Sequence, residues 1–464
     1  MSKLIKTLSL LLIYIFLIPP QAVFAQNTTP SGPIYIVQEG DSLWDIAYRF
    51  HVTQDALANA NGIVDTSQIS IGQQLIIPGL EGIQGILTTQ AIPYGETLAS
   101  LSLRYQISEQ MLKRLNRITS PNELYTGYSL VIPQGGTPST LGIRVALGPG
   151  QSVLELAILN DTDPWGIIAE NKLLNTWVML PGEVLRAPGE QDDGPGALPP
   201  AISQVSIDGL SQGQTTEIQV NAGAGLSISG SLIEHTLYFF QDAGQHYTAL
   251  QGIHAMAEPG LYPLTIQVNT PDGELFSFSQ PVIILAGDFL YDRSIPVDPA
   301  TLDPETNRVE NELWAESSSV VIPDKLWNGQ FSLPVEPVFA ECYSSRFGSR
   351  RSYNGSEYKY FHSGLDFCGQ VGDPVYSAAS GEVVIADMLT VRGYATMIDH
   401  GRGIFTAYMH QSDILVDVGD YVEQGQLIGK VGNTGRVEGP HLHFEVLVGG
   451  TQVDPLEWLE REFP

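Results

Sequence analysis

Basic residues are scarce in this sequence. It has 22 Lys and Arg against 51 Asp and Glu in 464 residues, which gives a formal net charge of −29 at pH 7. A net charge of this sign argues against nucleic acid or an anionic lipid surface as a partner. It fits a soluble protein that works outside the cytoplasm. The chain is also too long for one hydrophobic core and should divide into three or more domains.

Long apolar runs are missing after the first 25 residues. The N-terminus combines Lys3 and Lys6 with an apolar run over residues 8–18 and small residues at Val23 and Ala25, which is the layout of a secretory signal. The run is shorter than the roughly 20 residues that a membrane-spanning helix needs, so export and release is favoured over a membrane anchor. We therefore expect residues 1–25 to be a signal peptide cleaved after Ala25. The mature protein would be secreted to the cell envelope and have no membrane span.

Cysteine is nearly absent, with only Cys342 and Cys368. The residue directly after the predicted cleavage site is not a cysteine, which excludes lipid attachment there. In an exported protein a cysteine pair readily forms a disulfide. Thiolate ligands to a metal are the alternative, and the lack of a C-x-x-C spacing disfavours it. The sequence therefore predicts a Cys342–Cys368 disulfide.

The front half contains three stretches built on one plan, at residues 34–78, 88–133 and 141–188. The first reads as strand, helix, helix, strand, with an N-cap signal at Asp41 and Ser42 before the first helix. The second stretch has G-E-T-L where the first has G-D-S-L, and the third has drifted to G-P-G-Q-S-V. Such internal similarity indicates a repeated module.

These stretches resemble the LysM module, a small β-α-α-β domain. The resemblance implies binding to glycans that contain N-acetylglucosamine, here those of peptidoglycan. It places the sugar in a shallow groove between residues 61–70 and the loop after the first strand. That loop comprises Gly40, Asp41, Ser42 and Leu43. The second and third copies either bind glycan as well or serve as spacers. If they bind, the protein would stay longer on the glycan, because linked modules raise the effective concentration of binding sites.

The sequence pattern changes after residues 187–200, a linker rich in proline, glycine and acidic residues. Residues 201–287 contain short alternating β segments separated by turn residues, which predicts an antiparallel β-sandwich of immunoglobulin type. Three histidines in it have no ligand spacing and are interpreted as core or surface residues. Residues 288–337 are acidic and contain prolines, with a predicted helix near 304–316. We interpret them as a strap into the last domain, without chemistry of its own.

Five of the nine histidines lie in the last predicted domain, residues 338–464. The chemistry-bearing positions are His362 and Asp366 in HSGLDF, His410 in AYMHQ, and His441 and His443 in GPHLHFEV. The period of two puts His441 and His443 on one face of a strand, although an isolated H-x-H is more often solvated or hydrogen-bonded than metal-binding. Two imidazoles and one carboxylate form the ligand set of a catalytic zinc site, with the fourth position left for water. The remaining two imidazoles can move a proton and stabilise an oxyanion.

Residues 344–458 resemble the lysostaphin/LytM-type zinc metallopeptidases, peptidoglycan endopeptidases with the duplicated hybrid motif fold. The motifs that carry the resemblance include HSGLDF, MIDHGRGIFTAYMH and GPHLHFEV. The resemblance implies that His362, Asp366 and His443 bind Zn²⁺. It also implies that His410 and His441 are the catalytic pair.

Several further residues of this domain have weaker signals. His400 matches a turn of the family and is interpreted as structural. Glu445 shares the face of His443 and is interpreted as a solvated carboxylate rather than a partner of that ring. The SSRFGSRRSYNG segment has four polar side chains for which substrate contact and loop structure stay equally open. These are Arg346, Arg350, Arg351 and Asn354.

The sequence thus predicts a multidomain, mainly β protein. It would consist of β-α-α-β LysM repeats, an immunoglobulin-like sandwich and a C-terminal antiparallel β-sheet peptidase domain. The predicted function is a secreted zinc endopeptidase that is held on peptidoglycan and hydrolyses its stem peptides or cross-bridges. The alternative is a non-catalytic wall-binding scaffold or an activator of other wall hydrolases. A carbohydrate-cleaving enzyme would need paired carboxylates, and no motif provides them.

Overall fold

The structure is a computed structural model of the 464-residue chain. The described residues are 32–80, 83, 85–134, 141–148, 150–175, 178–180, 182–242, 244–270 and 275–464. The predicted signal peptide, residues 1–25, lies outside them. The chain divides into two compact units, Met1–Thr88 with Pro133–Gly135 and Thr89–Ile132 with Gly136–Pro464. Within the described ranges, no helix has both the length and the apolar character to cross a membrane.

The first unit contains one β-α-α-β module. Its elements are β1 (Ile34–Ile36), α1 (Leu43–Arg49), α2 (Gln54–Ala60) and β2 (Gln74–Ile76). Ser42 caps α1 by accepting a hydrogen bond from the Asp45 N–H at 3.1 Å, and Thr53 caps α2 in the same way. β1 and β2 pair antiparallel. The apolar side chains of the two helices pack against these strands. The helix caps and the small apolar core therefore both support the β-α-α-β fold.

Two more modules of this kind follow along the chain. The first has β3 (Ile86–Ala91), α3 (Leu98–Tyr105), α4 (Glu109–Asn116) and β4 (Ser129–Gln134). The next has β5 (Ile143–Ala146), α5 (Val153–Leu159), α6 (Pro164–Glu170) and β6 (Val184–Ala187), with β5 antiparallel to β6. All four helices begin at a side-chain N-cap.

One asparagine in each module joins the second helix to the closing strand. Asn61 Nδ2 donates to Ile76 O at 2.8 Å, and Asn61 Oδ1 accepts from Ile76 N. Asn116 makes the same pair of bonds with Val131, and Asn171 makes it with Arg186. The third module therefore keeps these hydrogen bonds between its second helix and its closing strand, although its loop sequence has diverged.

Two four-stranded sheets follow over residues 202–284. Their strand orders are β10-β9-β13-β14 and β11-β12-β8-β7, and the apolar side chains of both sheets form one shared core. The strands are β7 (Ile202–Asp208), β8 (Thr215–Ala222), β9 (Ser227–Leu232), β10 (His235–Tyr238), β11 (Phe240–Gln241), β12 (His246–Gly252), β13 (Gly260–Asn269) and β14 (Leu275–Ile284). The region is a sandwich, and its assignment to the immunoglobulin type stays a prediction.

The strap contains helix α7 (Pro304–Ser317), which Asp303 caps by accepting from the Thr306 N–H at 2.9 Å. The C-terminal domain after it is built on one large antiparallel sheet with the central order β15-β18-β25-β22-β21-β20-β23. The elements are β15 (Tyr343–Ser345), β16 (Arg350–Arg351), β17 (Tyr360–Phe361), β18 (Leu365–Cys368), β19 (Pro374–Tyr376), β20 (Gly381–Leu389), β21 (Gly393–Asp399), β22 (Ile404–Ile414), β23 (Tyr421–Val422), β24 (Leu427–Val431), β25 (His441–Val448), β26 (Thr451–Val453) and α8 (Pro455–Glu460).

The large sheet has a core on each face. Leu442, Phe444 and Val446 of β25 point into the larger core, and Leu447 points into the smaller one, which α7 covers through Trp314. This alternation puts His441, His443 and Glu445 on the same side as α7. At the edge, Cys342 and Cys368 are joined by a disulfide, and Cys368 N–H donates to Cys342 O at 2.9 Å.

His400 is buried in the larger core, away from the other histidines of the domain. One ring nitrogen lies 2.8 Å from Ser380 O and the other 2.7 Å from Thr406 Oγ1. Burial lowers the pKa of His400 to about 4, against about 6.5 in an unfolded chain. The ring is structural, as its place in the sequence suggested, and it couples the stability of the domain to pH.

We expect the domain to lose stability as the pH falls from about 6.5 to about 4, because the unfolded state binds a proton that the folded ring does not accept. The His400 contribution is at most about 3 kcal/mol and is constant above this window. His400→Gln keeps one donor and one acceptor but does not titrate. The free energy of unfolding of this variant should therefore fall less than that of the wild type over the same pH range. Hydrogen exchange of β21 amides in the full chain, compared at about pH 7 and pH 5, measures the difference. Parallel losses in both proteins would contradict the assignment.

Candidate metal centre and active site

Three neighbouring strands bring the separated motifs together. β25 lies between β18 and β22 in the sheet, with Asp366 directly opposite His443 on one side and Met409 opposite His443 on the other. His362 lies three positions before the start of β18, and His410 follows Met409. Residues from three distant motifs therefore converge because their strands are adjacent.

The atoms of His362, Asp366 and His443 form a tight triangle. His362 Nε2 lies 2.9 Å from Asp366 Oδ1 and 3.0 Å from His443 Nδ1, and His443 Nδ1 lies 2.8 Å from Asp366 Oδ1. All three side chains are buried. They are also the group of His and Asp residues in the described chain whose ligand atoms lie close enough to share one ion.

The second nitrogen of each imidazole is held by an acceptor. His362 Nδ1 donates to Arg346 O at 2.9 Å, and His443 Nε2 lies 3.2 Å from Glu445 Oε1. Because a carbonyl oxygen only accepts, the proton of neutral His362 belongs on Nδ1, and its Nε2 lone pair faces the triangle. The carboxylate of Glu445 places the proton of neutral His443 on Nε2 in the same way, which leaves Nδ1 as the ligand atom.

Burial and neighbouring charges separate the pKa values of these groups. Burial lowers the pKa of His362 to about 4, although Asp366 acts in the opposite direction. Burial also acts on Asp366, but its interactions with His362 and His443 outweigh that effect and hold its pKa well below the usual range. For His443, hydrogen bonds to Asp366 and Glu445 overcome burial and raise the pKa to about 9. The carboxylate is thus ionised and available as an anionic ligand.

His410 and His441 lie beside the triangle with their ring centroids 5.0 Å apart. His410 Nδ1 donates to Thr434 O and His441 Nδ1 donates to Gly439 O, each at 2.8 Å. The Nε2 atom of each ring is therefore the nitrogen left for a proton or a substrate. Burial, followed by the proximity of His441 and His443, lowers the pKa of His410 well below the usual range, so this ring is neutral and has its lone pair on Nε2.

A break in strand alternation turns His410 toward the site. Met409 points into the core under α7, so regular alternation would direct His410 to the opposite face. His410 instead has a left-handed backbone with φ of 60°, and the pairing of β22 shifts register nearby against β21 and against β24. The irregularity redirects the ring to the face that carries His441 and His443.

Comparison with known proteins agrees with this geometry. Residues 360–455 match the model of peptidase family M23, and residues 35–78 and 94–133 match the LysM domain model. The chain carries an M23 peptidase domain and two LysM domains. A peptidoglycan DD-endopeptidase, ShyA of Vibrio cholerae serotype O1, is 42% identical over 114 residues, which are 25% of this chain and 26% of that protein.

Two other similar proteins extend the comparison. A DD-carboxypeptidase/endopeptidase, Mpg of Neisseria meningitidis serogroup B, is 36% identical over 122 residues, 26% of this chain and 28% of that protein. A putative peptidase M23 from Pseudomonas aeruginosa has 23% identity over 54% of this chain and 96% of its own, with a TM-score of 0.42. The chain spans only about a quarter of the length of these two curated relatives.

Glu445 of the M23 domain is not solvated, contrary to the expectation from sequence. It is 2% exposed, and Trp314 Nε1 of α7 donates to its Oε2 at 3.1 Å while Oε1 faces His443. The neighbouring loop is also tied to α7, because Glu310 accepts from Val391 N–H and pairs with Arg392 at 3.3 Å. The interpretation of the strap as lacking chemistry was therefore wrong, since its helix supports the candidate site from behind.

A cavity of about 540 Å³ opens over the five predicted site residues of the M23 domain. The strap contributes part of its wall through Asp292, Arg293, Ile295 and Val297. Of the four polar side chains of the SSRFGSRRSYNG segment, only Arg351 lines the cavity, with Nη2 3.5 Å from Asp366 Oδ2. Arg350 instead donates to Ala255 O, and the side chain of Asn354 donates to Val297 O. Arg346 lies over the ring of Tyr343 and contributes its carbonyl to His362.

The predicted glycan residues of the first LysM domain have different environments. Gly40 and Ser42 are exposed, whereas Leu43 is buried in the core. Asp41 is half-buried and holds its own loop, with Oδ2 2.6 Å from the Tyr35 hydroxyl and Oδ1 3.1 Å from Arg49 Nη2. Leu43 therefore packs rather than contacts a ligand, and Gly40 and Ser42 are the accessible part.

The matching loop of the second LysM domain is buried. Tyr94 is fully buried and its hydroxyl donates to Phe278 O at 2.8 Å, while Gly95 N–H donates to Gln280 Oε1 at 2.8 Å. A Cβ at Gly95 would lie 2.6 Å from Pro195 Cβ. The sandwich and the linker therefore cover the loop that corresponds to Gly40–Leu43 in the second copy.

Proposed function

We propose that this protein is a secreted, peptidoglycan-binding zinc metalloendopeptidase that hydrolyses peptide bonds in stem peptides or cross-bridges. The observation that carries the proposal is the convergence of His362, Asp366 and His443 at 2.8–3.0 Å beneath a cavity that His410 and His441 also line. The relatives named as DD-endopeptidases support a D,D-peptide bond as the bond that is cut.

The donor set fits Zn²⁺. Two imidazoles and one carboxylate are the protein ligands of many catalytic zinc sites, and both imidazoles have their second nitrogen hydrogen-bonded in the way such ligands require. His362 Nε2, Asp366 Oδ1 and His443 Nδ1 would hold the ion. When bound, zinc would polarise the scissile carbonyl and make water a better nucleophile at neutral pH.

The other two histidines have separate tasks in this proposal. His410, neutral and with Nδ1–H fixed on Thr434 O, takes up a proton at Nε2 and later delivers it to the leaving amine. His441, fixed on Gly439 O, directs its Nε2 to the same space and donates a hydrogen bond to the developing oxyanion when that nitrogen is protonated. Their fixed Nδ1–H groups mean that neither ring must rotate during turnover.

The LysM domains would keep the enzyme on its substrate. The first domain offers the accessible loop at Gly40 and Ser42, so we assign glycan binding to it. The second domain has its matching loop buried, so we assign no glycan binding to that loop. This division, together with the predicted signal peptide, supports an extracytoplasmic location in the wall, with peptidoglycan as the partner.

Purified full-length mature protein incubated with isolated peptidoglycan tests the proposal. We expect new amino groups to be released and mass spectrometry of the muropeptides to identify the broken bond. A chelator such as 1,10-phenanthroline should abolish release, and added Zn²⁺ should restore it. Binding without release, unaffected by zinc, would instead identify a wall-binding scaffold or activator.

A further inference from the structure

Arg436 in the cavity wall lacks an acidic partner. Its guanidinium makes one hydrogen bond, from Nη1 to Thr301 O at 3.3 Å, and lies 4.7 Å from the ring centroid of Tyr353. No carboxylate of the described residues is within ion-pair distance of it. An arginine has five N–H donors, so most of the hydrogen-bonding capacity of this half-buried side chain is unused by the protein.

The other arginines deeper in the cavity are neutralised. Arg351 pairs with Asp292 and Asp366, each at 3.5 Å, and Arg392 pairs with Glu310 at 3.3 Å. Burial lowers the pKa of Arg436, and the cations of Arg351 and Arg392 act in the same direction, whereas Tyr353 and Glu310 oppose them. Burial of the Arg436 guanidinium is therefore unfavourable in the free protein, in a chain that has more than twice as many acidic as basic residues.

A second arginine without an ion pair lies on the same cavity. Arg293 of the strap is exposed, lines the cavity, and makes no side-chain hydrogen bond or ion pair within the part of the chain that the structure describes. Arg436 is two residues beyond Thr434, whose carbonyl orients His410. The unpaired positive charge is thus beside the proposed catalytic pair, in the space that a peptide substrate would occupy.

We propose that Arg436, assisted by Arg293, is a subsite for a carboxylate of the substrate, so that the enzyme prefers peptides with a free carboxylate close to the scissile bond. A planar guanidinium with free N–H groups matches a carboxylate in a bidentate, charge-assisted geometry. The preference rests on the proposed endopeptidase function, because it concerns the substrate of that same site. The arginine subsite would select substrates by their charge, which the metal and the histidines do not do.

Two forms of one substrate test this subsite. Cross-linked muropeptides with free carboxylates are compared with the same fragments after their carboxylates are converted to carboxamides. For the wild type we expect kcat/KM to be about 10- to 100-fold higher on the free-carboxylate form. Arg436→Gln should lose this preference and cleave both forms with similar kcat/KM. Arg308→Gln, on the exposed face of α7, is the matched control and should keep the preference.

Two further measurements separate recognition from folding. Arg293→Gln changes an exposed side chain and should reduce the preference without loss of stability. Titration of both fragment forms into His410→Ala and into the double variant His410→Ala/Arg436→Gln measures binding without turnover. Only the protein that keeps Arg436 should bind the free-carboxylate form more tightly than the carboxamide form. An equal loss on both substrate forms in Arg436→Gln, or a wild type without preference, would overturn the subsite alone. Cleavage of neither form by the wild type would overturn the proposed function.

Discussion

His362→Ala is expected to leave the protein without bound zinc and without hydrolysis, whereas His410→Ala keeps the zinc and loses turnover. His362 Nε2 is one corner of a triangle of three ligand atoms, so its removal leaves two protein ligands for the ion. The His410 ring centroid lies 5.8 Å from that of His443, outside the triangle, and His410 acts on protons. We expect activity to fall on the order of 1,000-fold or more in His362→Ala and about 100- to 10,000-fold in His410→Ala.

Metal content by elemental analysis and amino-group release from peptidoglycan, measured on the same preparations, separate these two outcomes. His246→Ala is the control, because this histidine is exposed on the sandwich and contacts Asn221. It should keep both zinc and activity. If His362→Ala and His410→Ala both retained full metal content and full activity, the ligand and catalytic assignments would be wrong.

Local sequence patterns were sufficient to predict the strand that carries the site. The alternation in GPHLHFEV put Leu442 and Phe444 on the core side and His441 and His443 on the other, and the structure has this arrangement. The same alternation did not predict the environment of Glu445. Its covering residue, Trp314, is 131 positions away on a helix whose own sequence has no metal-site spacing. A contact of that range depends on tertiary packing, which a local pattern does not contain.

His410 shows a second limit of sequence patterns. Strand periodicity alone would have directed this ring away from the site. Its role was predicted from the chemistry of imidazole and from the resemblance of its motif to a family, not from the strand pattern. The left-handed backbone at His410 reverses the direction of the side chain. Nothing in AYMHQ signals that change, because the residue type is permitted in regular strands as well.

The repeats were predicted by their helix caps and closing strands, while their accessibility was not. Ser42 and Thr97 cap corresponding helices, so the sequence indicated two equivalent modules. Burial of the second loop depends on Pro195 and Gln280, which lie about 100 to 185 positions downstream of Gly95. A repeat pattern predicts that modules share a fold, and it leaves open which copy is exposed to a glycan.

Glu445→Gln is expected to weaken zinc binding about 10- to 100-fold, as is typical when a hydrogen-bonding partner of a metal ligand is altered. Glu445 receives two donors, Trp314 Nε1–H on Oε2 and His443 Nε2–H on Oε1. A glutamine has only one carbonyl oxygen, so its NH₂ group must face one of these two N–H groups. When it faces His443, the ring proton is favoured on Nδ1, which is the nitrogen that the ion needs. Competition titration with a fluorescent zinc chelator measures the change in affinity.

The double variant Trp314→Phe/Glu445→Gln distinguishes this hydrogen-bond mechanism from simple damage to the core. Phenylalanine keeps an aromatic ring under the sheet but removes the competing donor, so the glutamine carbonyl is free to turn to His443. Zinc affinity should therefore be higher in the double variant than in Glu445→Gln alone, although each single change is a loss. In the ¹⁵N NMR spectrum of the zinc-free protein, the proton of neutral His443 should return to Nε2 in parallel. Losses that simply add would mean that α7 supports the site through packing and not by orienting the ring.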